Sequence, residues 1–196
     1  MHTVDVFLFA GQSNMAGRGV TCERFPEPAP AVDPGAGWEY RAVSAPGRLF
    51  PIREPFDKDE NRPGGIGEDK KSGSMVSAFV NAYHAGTGVP VVGVSASKGG
   101  SVIASWQPGT PYLTDALARL AAAEGWLSRN GYLVRHTFAL WCQGESDADA
   151  GTDRETYLRG FERMLGAMLA AGIGRLFLVR IGHCDDGSDR YAPMMA

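Results

Sequence analysis

Three short stretches of this sequence combine the residue types that acyl transfer requires: Gly11-Gln12-Ser13-Asn14-Met15, Lys98-Gly99-Gly100-Ser101 and Gln143-Gly144-Glu145-Ser146-Asp147. Ser13 offers a hydroxyl nucleophile. Gly99 and Gly100 carry no side chains, so a backbone N–H there can approach a substrate oxygen closely. Gln143 offers an amide donor with no charge to desolvate. The N–H groups of Ser13 and Gly100 (or Gly99), joined by the Gln143 amide, would make an oxyanion hole, in which each donor is worth roughly 3 to 4 kcal/mol of transition-state stabilisation. Each stretch also has a plain reading. Ser13 or Asn14 could simply cap a helix, Gly99-Gly100 could be an ordinary turn, and the Gln143 stretch could be a loop satisfying its own backbone.

What sets the three apart is where the elements put them. The apolar run ending at Ala10 reads as a buried first strand, followed by a glycine turn into a helix. Val89 to Ser95 is a continuous β-branched run, read as a strand covered on both faces, and Arg135 to Cys142 is a third. Leu176 to Ile181 is a fourth. Helices are expected from a Ser74 cap to about His84, from Tyr112 to about Arg129, and from a Thr152 or Asp153 cap to about Ala171. Strands alternating with helices predict an α/β architecture, a parallel sheet with helices on both faces. Such sheets bind ligands at the carboxyl ends of their strands, and all three chemical stretches fall at those ends.

Between about 18 and 72 the pattern lapses. Eight of the twelve prolines lie there, from Pro26 to Pro63. A segment this long with no structure of its own is expected to be functional or partly disordered. Its aromatics, Trp38, Tyr40, Phe50 and Phe56, argue against pure disorder; they either pin the segment to the body or stack on a sugar face.

The bulk properties narrow the class. Residues 1–196 are expected to form one domain, with 44% hydrophobic and 21% charged residues. A net charge of −3 argues against nucleic acid and anionic membranes as partners. The amino terminus has neither the basic region nor the cleavage site of a signal peptide. As written the chain is expected in the cytoplasm, with export of a longer precursor left open. Cys22, Cys142 and Cys184 are too few and too scattered for a disulfide framework or a zinc site, so no metal or other cofactor is expected.

The strings FAGQSNMAGRG, GGSVIASW and WCQGESD resemble the three amino-proximal blocks of the sialate O-acetylesterase-like branch of the SGNH (GDSL-type) hydrolases. That branch is related to the acetylxylan esterases of carbohydrate esterase family six. The resemblance implies a flavodoxin-like three-layer α/β/α sandwich and hydrolysis of acetyl esters on carbohydrates, with an acetylated carbohydrate as the partner. It assigns Ser13 as nucleophile and Gly100 (or Gly99) and Gln143 to the oxyanion hole. Gln12, Asn14, Glu145, Asp147 and Trp106 would support the site or touch substrate. For Glu145 and Asp147 the roles open are holding substrate, orienting a base or fixing the Gln143 loop; for Trp106, a sugar platform or a buried anchor. Arg18 is expected to fold back on the long segment or an acidic partner.

A serine needs a positioned base, usually histidine, and the family carries its base in a carboxyl-terminal Asp-x-x-His block. None of His2, His84, His136 and His183 fits that block. Only His183 follows a predicted strand at the correct sheet edge. The expectation is therefore an esterase domain truncated at its carboxyl end, lacking a last helix, a last strand and the Asp-x-x-His block, so that the chain as written is inactive without them. The rival reading is a catalytically incomplete, carbohydrate-binding domain of the same fold that has lost its base.

Overall fold

The computed structural model describes residues 2–21, 23, 27–181, 187–189 and 191. Twelve elements follow in chain order. These are β1 (His2–Gly11), α1 (Ser13–Ala16), β2 (Gly37–Tyr40), β3 (Leu49–Pro51), α2 (Val76–Thr87), β4 (Val91–Ser97), a 3-10 turn (Ile103–Trp106), α3 (Pro111–Arg129), β5 (Tyr132–Cys142), α4 (Glu145–Asp149), α5 (Arg154–Ala170) and β6 (Arg175–Leu178).

One six-stranded sheet runs in the order β3-β2-β4-β1-β5-β6. All neighbours are parallel except the β2–β3 pair. The four strands β4-β1-β5-β6 follow the 2-1-3-4 succession of flavodoxin-like sheets, with the topological switch beside β1. Alternation along β1 feeds two cores. Val4, Val6, Leu8 and Ala10 join Leu113, Leu120 and Leu127 of α3 and Met164 and Met168 of α5. Phe7 and Phe9 join Val76 and Val80 of α2 on the opposite face. Both strands at the centre, β1 and β4, are buried nearly throughout, as two covered faces demand.

The main departure from expectation lies between residues 18 and 72. The segment adds β2 and β3 to the sheet outside β4. These strands have four and three residues, too few for a period to show amid prolines and glycines. The ladder between β2 and β4 ends at Glu39 and Gly93. Beyond it, charged side chains of the segment take over the edge of β4. Asp57 accepts the Ser95 N–H at 3.2 Å, and Arg119 of α3 donates to Ser95 O at 3.2 Å. Arg119 also donates to the carbonyls of Glu60 and Ile66, at 2.8 and 3.0 Å, while Asp115 accepts from Ile66 N at 2.9 Å. Lys71 reaches the carbonyls of Phe56 and Asp57 and the Ser95 hydroxyl. Tyr40 and Phe56 are buried and pin the segment, so neither offers a ring face to a sugar.

Smaller differences have local causes. β4 starts at Val91, two residues later than expected, because Pro90 has no N–H to give and Val91 N bonds Ala36 O. β6 ends at Leu178, although Val179 N still reaches Trp141 O at 2.8 Å. α5 begins after Asp153, whose carboxylate caps Thr156 N at 2.8 Å. Cys142 is a buried core thiol whose pKa burial pushes up to about 12, with the Glu145 charge adding. No described helix is long and apolar enough to cross a membrane.

Candidate active site

Register brings the three strand ends to one edge of the sheet. Gly11 at the end of β1 is level with Ser97 of β4 and Cys142 of β5. Two bonds tie the exits together: Lys98 N to Gly11 O and Gln12 N to Cys142 O, each 2.9 Å. Gly11 has φ +139°, and a Cβ there would lie 2.0 Å from Cys142 O. Only glycine lets β1 press against β5 and then turn.

Ser13 opens α1 and is half-buried. Gln12 is buried beneath it, and its Oε1 accepts Ser146 N at 3.1 Å. Asn14 is exposed and donates to Glu145 Oε1. Both residues that flank Ser13 therefore lock its turn to the β5 exit. Glu145 is buried, its Oε2 has no partner, and burial pushes its pKa up despite the bond from Asn14.

The expected donors divide. No acceptor among the described residues takes the N–H of Ser13 or of Gly100, and Gly100 is exposed. Gly99 is different: its N–H donates to Glu68 Oε2 at 2.8 Å, so it is not a free donor. Its missing side chain makes room for protein. A Cβ at Gly99 would meet Arg18 Nη2 at 2.3 Å and Glu68 Oε2 at 2.4 Å. The Gln143 amide is also engaged. It is buried, and its Nε2 donates to Ser101 O at 3.0 Å and to Asp147 Oδ2. In this arrangement both amide hydrogens brace the turn, and Oε1 is left without a partner. Asp147 also accepts Ile103 N at 2.8 Å, so one carboxylate joins the exits of β4 and β5. Trp106 is a buried anchor and not a sugar platform. Its indole lies edge-on to Trp141 at 5.2 Å, and its Nε1 donates to Ser101 Oγ at 2.9 Å.

Residue types alone did not point to Glu68. It is nearly buried, and Arg18 donates to both its oxygens, at 2.8 and 2.9 Å. Burial would raise its pKa, but the Arg18 hydrogen bond, the N–H groups of Gly99 and Lys70 and the Arg18 charge together lower it. One carboxylate thus links the turn after Ser13, the irregular segment and the Gly99-Gly100 turn. Nothing in the run Glu68-Asp69-Lys70-Lys71 distinguishes it from a solvated charge cluster. Ser101 and Tyr157 were also not anticipated; Tyr157 Oη donates to Gln143 O at 3.1 Å.

The described histidines lie elsewhere. His2 opens β1 at the opposite edge, beside Tyr132. His84 is in the last turn of α2. His136 is exposed and level with Asp5, well down β5 from Cys142. His183 lies outside the described residues, as do Cys22 and Cys184. No group of three or more His, Cys, Asp or Glu among the described residues is placed to hold a metal ion.

A two-faced, mostly parallel sheet with a serine turn at its switch point and small polar turns on either side defines a class: α/β proteins that carry their site at the carboxyl ends of the strands. The family model for carbohydrate esterases described as sialic acid-specific acetylesterase matches residues 3–178, and the chain belongs to that family. No curated protein matches it. Among solved structures, an Arabidopsis thaliana protein is 22% identical, with TM-score 0.73 over 97% of this chain and 78% of its own. A novel carbohydrate acetylesterase from Xanthomonas citri is 18% identical, with TM-score 0.55 over 97% of this chain and 46% of its own. Both share the fold.

Proposed function

We propose that this chain is a serine esterase that removes O-acetyl groups from carbohydrates. Ser13 Oγ attacks the acetyl carbonyl, and the tetrahedral oxyanion is held by the N–H groups of Ser13 and Gly100. The base takes the Ser13 hydroxyl proton during attack and returns it to the departing sugar oxygen as the intermediate collapses, leaving an acetyl-serine that water hydrolyses by the same steps. The observation that carries this reading is the pair of unclaimed N–H donors at neighbouring strand ends, next to a serine held from both sides. Donors already fixed in place need no reorganisation as charge develops. The positive end of the α1 turn adds to the effect.

Gln143, Gly99, Gln12 and Asp147 act in this scheme by positioning. Gln143 and Asp147 fix the turn that presents Gly100, and Gln12 and Asn14 fix Ser13. The base comes from outside the described residues, and His183 is the candidate this sequence offers. The absence of a histidine beside Ser13 among the described residues also supports a second reading, a carbohydrate-binding form of the fold without turnover. Deacetylation of acetylated xylobiose by the full natural gene product separates the two. The esterase reading expects release of acetate that Ser13→Ala lowers by a factor on the order of 10⁴. Sugar binding with no acetate release would establish the second.

A further inference from the structure

The proposed reaction needs a fixed separation between the turn that carries Ser13 and the turn that carries the Gly100 N–H. The strands set it from below, through the bond from Lys98 N to Gly11 O. A second connection runs outside the sheet and passes through an ion pair. It starts where α1 ends. Gly17 N bonds Ser13 O at 2.9 Å, and Gly17 O accepts Ser72 N at 2.8 Å and Gly73 N at 3.3 Å. Gly19 N returns to Gly73 O at 2.9 Å, so residues 17–19 and 72–73 form a short backbone clamp around Arg18.

From that clamp Arg18 Nη2 reaches Glu68 Oε1 at 2.8 Å and Oε2 at 2.9 Å. The same Oε2 accepts Gly99 N at 2.8 Å, and Oε1 accepts Lys70 N at 3.2 Å. Both oxygens therefore accept, which only the ionised carboxylate does without a competing O–H. Glu68 is nearly buried, and a buried carboxylate without a countercharge tends to take up a proton. Burial raises its pKa, yet the Arg18 hydrogen bond heads the opposing contributions and brings it below its ordinary value. Lys71 is a further positive charge nearby, Lys70 and Lys98 adjoin Glu68 and Gly99 in sequence, and Asp69 accepts Asn61 Nδ2 at 2.7 Å.

We propose that Arg18 is a positioning residue: it holds Glu68 as an ionised acceptor for the Gly99 N–H and so ties the nucleophile turn to the turn that presents Gly100. The assignment rests on the reading of Ser13 as nucleophile and Gly100 as oxyanion donor. Without the guanidinium, Glu68 takes up a proton at a higher pH and its hold on Gly99 loosens. Gly100 then loses its alignment as pH falls, although Ser13 and its base are untouched.

The test is the pH profile of 4-nitrophenyl acetate hydrolysis, a substrate that needs no sugar contact, by the full natural gene product and its variants. Arg18→Ala should lower kcat roughly tenfold with KM little changed. Its activity should also begin to fall at a higher pH than that of wild type on the acid side. Adding Glu68→Gln removes the titrating group, so the acid-side fall of the double variant should return to its wild-type position. Arg18→Lys keeps the charge and should hold the wild-type acid side while recovering part of kcat. Arg18→Gln takes the place of Arg18→Ala if the smaller side chain prevents folding. A loss confined to KM, an acid side that does not move, or one that stays displaced in the double variant overturns the assignment and leaves the esterase reading intact. If wild type does not hydrolyse 4-nitrophenyl acetate, the esterase reading fails. The role of Arg18 is then judged by an NMR pH titration of the Gly99 amide proton. A midpoint raised by Arg18→Ala sustains its hold on Glu68, and an unmoved midpoint overturns it.

Discussion

The two edges of β4 are built on different principles. Toward β1 the backbone ladder is continuous from Val91 to Ser97. On the other side the ladder with β2 stops at Gly93, and Asp57, Arg119 and Glu68 satisfy Ser95 and Gly99 from side chains. The first arrangement sets Ser13 by register, because once β1 lies between β4 and β5 its turn has only one place to emerge, and Gln12 and Asn14 then lock that turn. The second sets the Gly100 turn by buried charge, which fixes a loop where no regular strand is available. Burying charge costs several kcal/mol per ion unless partners and hydrogen bonds return it. The irregular segment is consequently specific in its seating but sensitive to the loss of any one partner.

Substitutions on the two edges should therefore fail differently. The largest effect is expected on the backbone side. Gly11→Ala drives a Cβ into Cys142 O in a conformation that disfavours side chains. A loss above about 4 kcal/mol is expected in denaturant unfolding, a large share of the stability of a domain. On the charged side, Arg119→Ala removes one of the two guanidiniums on buried Asp115, which keeps Arg62, and leaves the carbonyls of Ser95 and Glu60 without their side-chain donor. About 3 kcal/mol or more should be lost in the same measurement. A value within error of wild type would mean that the segment does not depend on charge.

Glu68→Ala should leave the fold in place and lower kcat on the order of tenfold with little change in KM, because the Gly99-Gly100 turn loses its anchor. Glu68→Gln should restore part of the loss by keeping one acceptor for Gly99. Equal loss in both variants, or a change confined to KM, would remove Glu68 from the positioning of the turn. The smallest effect concerns Asp57. Burial first, then the charges of Glu60 and Glu39, raise its pKa well above 3.8 against the opposing pull of Lys71 and Arg119. A raised folded-state pKa means that its contribution is complete below the unfolded value and is lost as pH rises through the folded one. Wild-type stability should thus decline with rising pH relative to Asp57→Asn, as denaturant unfolding over a pH series would show. A difference that does not vary with pH would contradict the assignment.

The same contrast explains what could be read from sequence. β1, β4, β5 and the long helices declare themselves through period and β-branching, and they carry Ser13 to its place. The α/β architecture and the site edge were legible for that reason. Roles that depend on partners were not. Gly99 and Gly100 are identical in type, yet only a carboxylate 31 residues away in sequence separates the braced N–H from the open one. Gln143 has the chemistry of a donor, but Ser101 and Asp147 claim its hydrogens. Trp106 could have faced a sugar or the core, and Trp141 and Ser101 decide for the core. β2 and β3 were hidden because short strands amid prolines and glycines have no period to show.

The most direct test of the account is to trap the covalent intermediate. The full natural gene product would be mixed with 4-nitrophenyl acetate, quenched in acid within the first turnover, and its peptides weighed and sequenced by mass spectrometry. The account predicts an acetyl group on the peptide from β1 and α1, on Ser13 itself, and none in Ser13→Ala. Acetylation of another residue with continued turnover by Ser13→Ala would contradict it.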